Sequence, residues 1–257
     1  MKNLSINKST KTKKYFHGIA LKAPTKQEFD KYIEIWNEKY DNEFNDYNHE
    51  LVLDCVFVDY NNSNKAIKEM YIKCVLLDKL YGTNIKYMDG LIKHLSSIEN
   101  FEQMLQSGNP ELVNIMKRVK KDNNKVINYL SFASKYCRRY NPTAFPIYDS
   151  IVKDILKYYM HTTNFYIGNK VDFNDYCQYK NVVDQFIKAH PFVENYVMLD
   201  RYLWTMGKEK INGISLVNKI REAKNAQKLN YIAKQIGAKE NLSAEELEDF
   251  VVHKFDL

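Results

Sequence analysis

The chain has 257 residues, 45% hydrophobic and 27% charged, with 38 Lys and Arg against 32 Asp and Glu for a formal net charge of +6. That is ample apolar material for a buried core and excludes disorder over the whole chain. Apolar runs such as Cys74-Val75-Leu76-Leu77 end at charges far short of the ~20 residues that span a bilayer, so a soluble protein with no membrane partner is expected.

From Pro24 onward apolar residues recur every three to four positions, which predicts helices separated by Asn, Gly and Pro. Phe29, Tyr32, Ile33, Trp36 and Tyr40 form one stripe; Ile67, Met70, Tyr71, Cys74, Leu77 and Tyr81 form a second, stopped by Gly82-Thr83-Asn84. Leu51 to Tyr60 alternates as a strand would, but it lacks a pairing partner and is read as a buried helix. Met88, Leu91, Ile92 and Leu95 follow, and Pro110 opens a helix through Leu112, Val113, Met116 and Val119. Val126, Leu130, Ala133 and Cys137 make a stripe ended by Asn141-Pro142, and Ile151, Val152, Ile155, Leu156 and Tyr159 make the next. A helix around Val182 and Phe186 stops at Pro191, one with Leu199, Tyr202, Leu203 and Met206 stops at Gly207, and Leu216 to Ile236 reads as one longer amphipathic helix. Ser243 and Glu246 match a capping box, in which the two side chains satisfy free amides at a helix start. The expected fold class is all-α, a two-lobed helical bundle over residues 26–257 preceded by a basic N-terminal arm over residues 1–25 that is flexible in part.

The positive charge is concentrated. Met1 to Lys26 carries seven lysines and no acid, and Lys117 to Arg139 carries eight basic residues against Asp122 alone. Local fields of this kind suit phosphates, although a solubilising arm and a solvated Lys-rich turn would look the same on charge alone. The arm lacks the apolar stretch of about 7–15 residues that a secretory signal needs, and it is Lys-rich without Arg, unlike a transit peptide. Cytoplasmic residence is the expectation.

Much active-site chemistry has no support. No two glycines stand as G-x-G and there is no phosphate loop; the six histidines never approach metal-ligand spacing; and Cys55, Cys74, Cys137 and Cys177 are far apart with no C-x-x-C. No metal or cofactor is expected.

One segment stands out: Asn128 to Val152, in which a helix carrying Ser134-Lys135 ends at Asn141-Pro142 and an extended Phe145-Pro146-Ile147-Tyr148 step delivers Asp149 to the mouth of the next helix. Asp149 and Ser150 are good N-cap residues, which is a structural role for Asp149; a surface position on an amphipathic helix is the structural role for Lys135. The segment resembles the helix-hairpin-helix DNA glycosylase superfamily, especially bacterial proteins like 8-oxoguanine DNA glycosylase, over Val126 to Tyr159. The resemblance implies a catalytic aspartate at Asp149 and, as in bifunctional members, a nucleophilic lysine at Lys135. Family hairpins place a Gly-x-Gly turn before the lysine to hold a DNA phosphate; here Leu130-Ser131-Phe132-Ala133-Ser134 stands instead, so the clamp would be remade by Ser131, Ser134, Arg138 and Arg139. Lys120 and Lys121 extend the expected DNA contact. An N-glycosidic bond breaks through a cation-like sugar, which a fixed carboxylate stabilises, and a lysine attacks only when neutral. A flipped base needs aromatic faces, for which Phe132, Tyr148 and Trp204 are the candidates, each with a core role as the alternative.

The function so expected is a DNA N-glycosylase acting on lesion-containing, double-stranded DNA as a monomer, an oxidised purine such as 8-oxoguanine being one substrate, with AP-lyase activity through Lys135. A non-catalytic nucleic-acid-binding module of the same fold is the alternative, and an all-α interaction protein in phage defence is the third reading.

Overall fold

The periodic stretches fold as twelve α-helices and one short hairpin among the residues described, 15–40, 49–59 and 67–257, in this computed structural model. Met1–Lys14, most of the basic arm, lies outside them. In chain order the helices are α1 (Lys26–Tyr40), α2 (His49–Asp54, continued by a π-helical turn over Cys55–Asp59), α3 (Ile67–Tyr81), α4 (Met88–Ser96), α5 (Phe101–Gln106) and α6 (Glu111–Met116). Strands β1 (Arg118–Lys120) and β2 (Val126–Asn128) come next, followed by α7 (Leu130–Tyr140), α8 (Ser150–Thr162), α9 (Tyr176–Ala189), α10 (Tyr196–Arg221), α11 (Ala226–Ile236) and α12 (Ala244–Phe255). The fold is thus mostly helical. No helix among the described residues is long and apolar enough to cross a membrane.

Helix α10 organises the packing, with α1, α8 and α12 against it. Helix α8 shows why its sequence is helical. Val152, Ile155, Leu156 and Tyr159 recur at helical spacing and are all buried, each worth about 1.5–3 kcal/mol on burial. A smaller apolar cluster at the C-terminal end gathers Val217 and Ile220 of α10 with Ile232, Ile236, Leu247 and Val251. The Ser243 capping box forms as expected: the Ser243 amide donates to Glu246 Oε2 at 2.8 Å and the Glu246 amide to Ser243 Oγ at 3.2 Å.

Several expectations need correction. The helix expected to stop at Gly207 runs on to Arg221, because Gly207 is a contact point rather than a breaker: a Cβ there would lie 2.1 Å from Ile151 Cγ2. The single helix expected over Leu216–Ile236 is broken after Arg221, since Asn225 accepts the Lys228 amide at 2.9 Å and starts α11 afresh. Val119 and Val126, expected on helices, lie in the hairpin. Asp122-Asn123-Asn124 turns the chain there, with Asn124 at φ +61° and the Lys121 amide bonded to Lys125 O at 2.9 Å. Leu51–Asp59 is helical as read, yet only half-buried, for Leu53 and Phe57 face the core while Leu51 is 62% exposed. The end of the basic arm is not loose: Phe16, Ile19 and Leu21 are buried, and the Tyr158 and Tyr159 hydroxyls donate to Leu21 O (3.2 Å) and Lys22 O (2.8 Å).

The Gly207 contact yields a direct test. Gly207→Ala drives a methyl into the stiff, β-branched Ile151 and costs about 1–3 kcal/mol by overpacking. A thermal melt followed by circular dichroism should fall by several degrees; an unchanged melting temperature would mean that α8 and α10 slide apart freely.

Candidate functional site

The Phe145–Asp149 step is held from three sides. Tyr176 and Tyr179 of α9 donate their hydroxyls to Pro146 O and Ile147 O, both at 2.7 Å, and the Tyr148 amide donates to Ser134 Oγ at 2.9 Å. Phe145 anchors the step in the core. Asp149 then caps α8, its Oδ1 accepting the Ile151 amide at 2.8 Å and the Val152 amide at 3.4 Å. Backbone, cap and side-chain bonds together leave the Asp149 carboxylate little freedom, which is what a positioned acid requires.

Lys135 lies on α7, whose other face carries the buried Phe132, Ala133, Tyr136 and Cys137. It is itself buried, 9% exposed, with Nζ 5.1 Å from the centre of the Tyr81 ring. Burial pulls its ammonium pKa down, against the opposing charges of Asp149 and Asp200. Among the described residues no carboxylate comes within 4.0 Å of Lys135. Asp200 of α10 faces the same centre. Its Oδ1 is closed to solvent and has no hydrogen-bond partner, and burial followed by the neighbouring Asp149 charge pushes its pKa up to about 7, with Lys135 and Arg138 working the other way. The Tyr179 phenol, raised by burial, also feels the charges of Asp200 and Asp149.

Lys135 thus lies within electrostatic reach of Asp149 and Asp200 without an ion pair to either, and Arg138 and Tyr179 share the field of Asp200. Tyr148 stands beside Asp149 with its ring 5.0 Å from that of Tyr179 in an edge-on arrangement. Other expected residues are elsewhere. Phe132 is buried in the core, 5.8 Å from the Tyr136 ring, and has no free face for a base. Trp204 lies one turn beyond Asp200 but packs into an aromatic group with Trp36 and Tyr40, at 5.7 and 5.6 Å. Ser134 is fully buried, its hydroxyl donating to Ser131 O at 3.0 Å while accepting from Tyr148; it braces the Asp149 step and is not placed to hold a phosphate. Ser131 is half-buried in the first turn of α7.

The +7 field expected over Lys117–Arg139 is divided: Lys117, Lys135, Arg138 and Arg139 are drawn inside, whereas Arg118, Lys120 and Lys125 stay exposed. Arg139 pairs with Glu50 at 2.7 Å and Asp54 at 2.8 Å and also donates to Tyr81 Oη, so it is an internal strut between α2, α3 and α7. Lys117 is buried, donating to Asn114 Oδ1 at 2.6 Å and to Asn174 O. Arg138 is half-buried, its pKa lowered by burial, with Asp200 as the first opposing charge. Of the expected DNA contacts, Lys120 is exposed on β1 and Lys121 sits 5.9 Å over the Tyr87 ring. Arg118 and Lys120 project from the same face of the hairpin as Val126 and Asn128, two positions apart on each strand.

Asp200 and Tyr81 are absent from the sequence-derived site. For Asp200 a signal exists: it falls between Leu199 and Leu203 on the buried stripe of a helix, where an unpaired acid is costly and so points to function.

A protein-family model, HI_0787_N, described as an N-terminal domain, matches residues 28–144. A protein of Haemophilus influenzae whose name reads uncharacterized protein is 36% identical to the chain over 132 residues, covering 51% of this chain and 63% of that protein. The chain thus spans less than two thirds of the relative it matches. No solved structure matches. The family match takes in Lys135, Arg139 and Tyr81 and ends five residues before Asp149.

Proposed function

We propose that the chain is a DNA N-glycosylase of the helix-hairpin-helix type, its helices forming the two lobes of that fold, and that it removes a damaged or modified base such as an oxidised purine. The observation that carries this reading is the buried Lys135 ammonium, without an ion-pair partner, in the joint field of Asp149 and Asp200. A buried lysine with a lowered pKa is a nucleophile in waiting, and an acid poised near 7 is matched to take its proton. The Nζ lone pair attacks C1′, the C1′–N bond breaks with its electrons going to the base, and Asp149 balances the positive charge on the sugar. The resulting aminal opens to an imine, O4′ leaving with a proton. The exposed cations of the β1–β2 hairpin supply phosphate contacts that orient the duplex.

The same fold without chemistry, a nucleic-acid-binding module, is favoured by one observation: Ser134 and Arg139 are occupied inside the protein and the hairpin has no glycine clamp. Incubating the full chain with duplexes carrying a panel of lesions, under borohydride, separates the two. Base release with a borohydride-trapped covalent adduct is the expected result. Salt-sensitive binding without base release from any lesion identifies the binding module.

A further inference from the structure

Beside α8, a cleft of about 740 Å³ opens between the turn at Tyr15–Ile19, the helix, and the loop from Phe165 to Phe173. Its size suits a small-molecule or nucleotide ligand. The turn is built rigidly: Phe16 and Ile19 exchange backbone hydrogen bonds at 2.8 and 3.0 Å, with His17 at φ +48° and Gly18 at φ +93° in the left-handed region. This holds Tyr15, 49% exposed, at the mouth. Tyr166, half-buried, supplies a second aromatic wall, while Phe173, 8% exposed, closes the floor beneath Lys157.

The floor carries a cation. Lys157 is half-buried, its Nζ 4.8 Å from the centre of the Phe173 ring, and no carboxylate among the described residues lies within 4.0 Å of it. The acid nearest in sequence, Asp154, is paired with Lys153 at 3.2 Å. Burial, then the Lys153 charge, pulls the Lys157 pKa down, against the opposing charges of Asp154 and Asp172. Lys170 adds a second cation at the rim.

We propose that this cleft binds a nucleotide unit, its base against the Tyr15 and Tyr166 rings and its phosphate on Lys157 and Lys170. Aromatic faces recognise any base by stacking, and paired cations recognise the phosphate, so the same chemistry serves a free nucleotide or one residue of a single strand. Lys157 lies eight residues beyond Asp149 on the same helix, about 12 Å along its axis, so the cleft is separate from the Lys135 centre.

Titration of the full chain with dAMP and, separately, with a fluorescent twelve-residue oligothymidylate distinguishes the two sources. Saturable binding of at least one probe is expected, weakened at least about tenfold by Lys157→Gln and by Tyr15→Ala, and retained in Asp149→Asn. Binding of dAMP marks a mononucleotide site; binding of the oligomer alone marks a strand path. Absence of saturable binding by both probes overturns the proposal. So does binding that survives Lys157→Gln with Tyr15→Ala, or that is lost in Asp149→Asn, which would put the probe at the Lys135 centre. Because the cleft assay reads affinity and not base release, a protein inactive on every lesion can still bind here.

Discussion

Asp149→Asn is expected to leave the protein folded while lowering base release by about 10²–10³-fold, corresponding to the loss of roughly 3–4 kcal/mol of transition-state stabilisation. Asn is as good an N-cap as Asp, so its side-chain oxygen can still accept the Ile151 and Val152 amides that now bond to Asp149. The three bonds that fix the Phe145–Tyr148 step do not involve the carboxylate and persist. What disappears is a negative charge beside Lys135 and Asp200. Lys135→Gln gives the complementary result: borohydride trapping vanishes, because no amine is left to form the imine, and base release falls further behind if Lys135 is the attacking group. Assays of both variants beside the unchanged protein, with melting curves for each, decide the roles. Full base release in Asp149→Asn with intact folding would leave Asp149 as a helix cap alone.

The half of the site that was legible in sequence is the local half. Pro146-Ile147-Tyr148-Asp149-Ser150 announces an extended step and a cap within five residues, and the helix bearing Lys135 is bounded by Asn141-Pro142 in the same stretch. Asp200 carries a local signal as an acid on an apolar stripe, but what it faces was not legible, because that comes from packing α10 against α8, a contact between segments fifty residues apart. The same limit explains Arg139. Its run of basic neighbours suggests a phosphate ligand, but Glu50 and Asp54 reach it from 85 and more residues away and neutralise it. Charge counted along the chain cannot register a partner brought in by the fold. The hairpin was hidden for a different reason: Val119, Val126 and Leu130 have spacings compatible with a helix, and only the Asp122-Asn123-Asn124 turn contradicts them. Gly207 reads as a stop when taken alone, whereas against Ile151 it is the place where two helices touch.

Asp200 contributes a pH dependence of its own to stability. An ordinary Asp holds its proton to about 3.8, whereas burial lets Asp200 keep it to about 7. Between these values the native state binds more protons than the unfolded chain, so stability falls as pH rises. At about 1.4 kcal/mol per unit the full span is worth on the order of 4 kcal/mol, present below pH 4 and lost as pH passes 7. Asp200→Asn keeps the shape of the protonated acid and has no charge to bury. Its melting temperature is therefore expected to match that of the unchanged protein below pH 4, to exceed it modestly at pH 5, and to exceed it at pH 8 by on the order of 10 °C. His190 acts in the opposite sense, since burial lowers its pKa and its contribution is lost as pH falls; being common to both proteins, it cancels in the difference. Parallel melting curves from pH 5 to 8 would show that Asp200 stays ionised throughout. In that event the charge facing Lys135 is fixed, and the proton of its ammonium has to leave by another route.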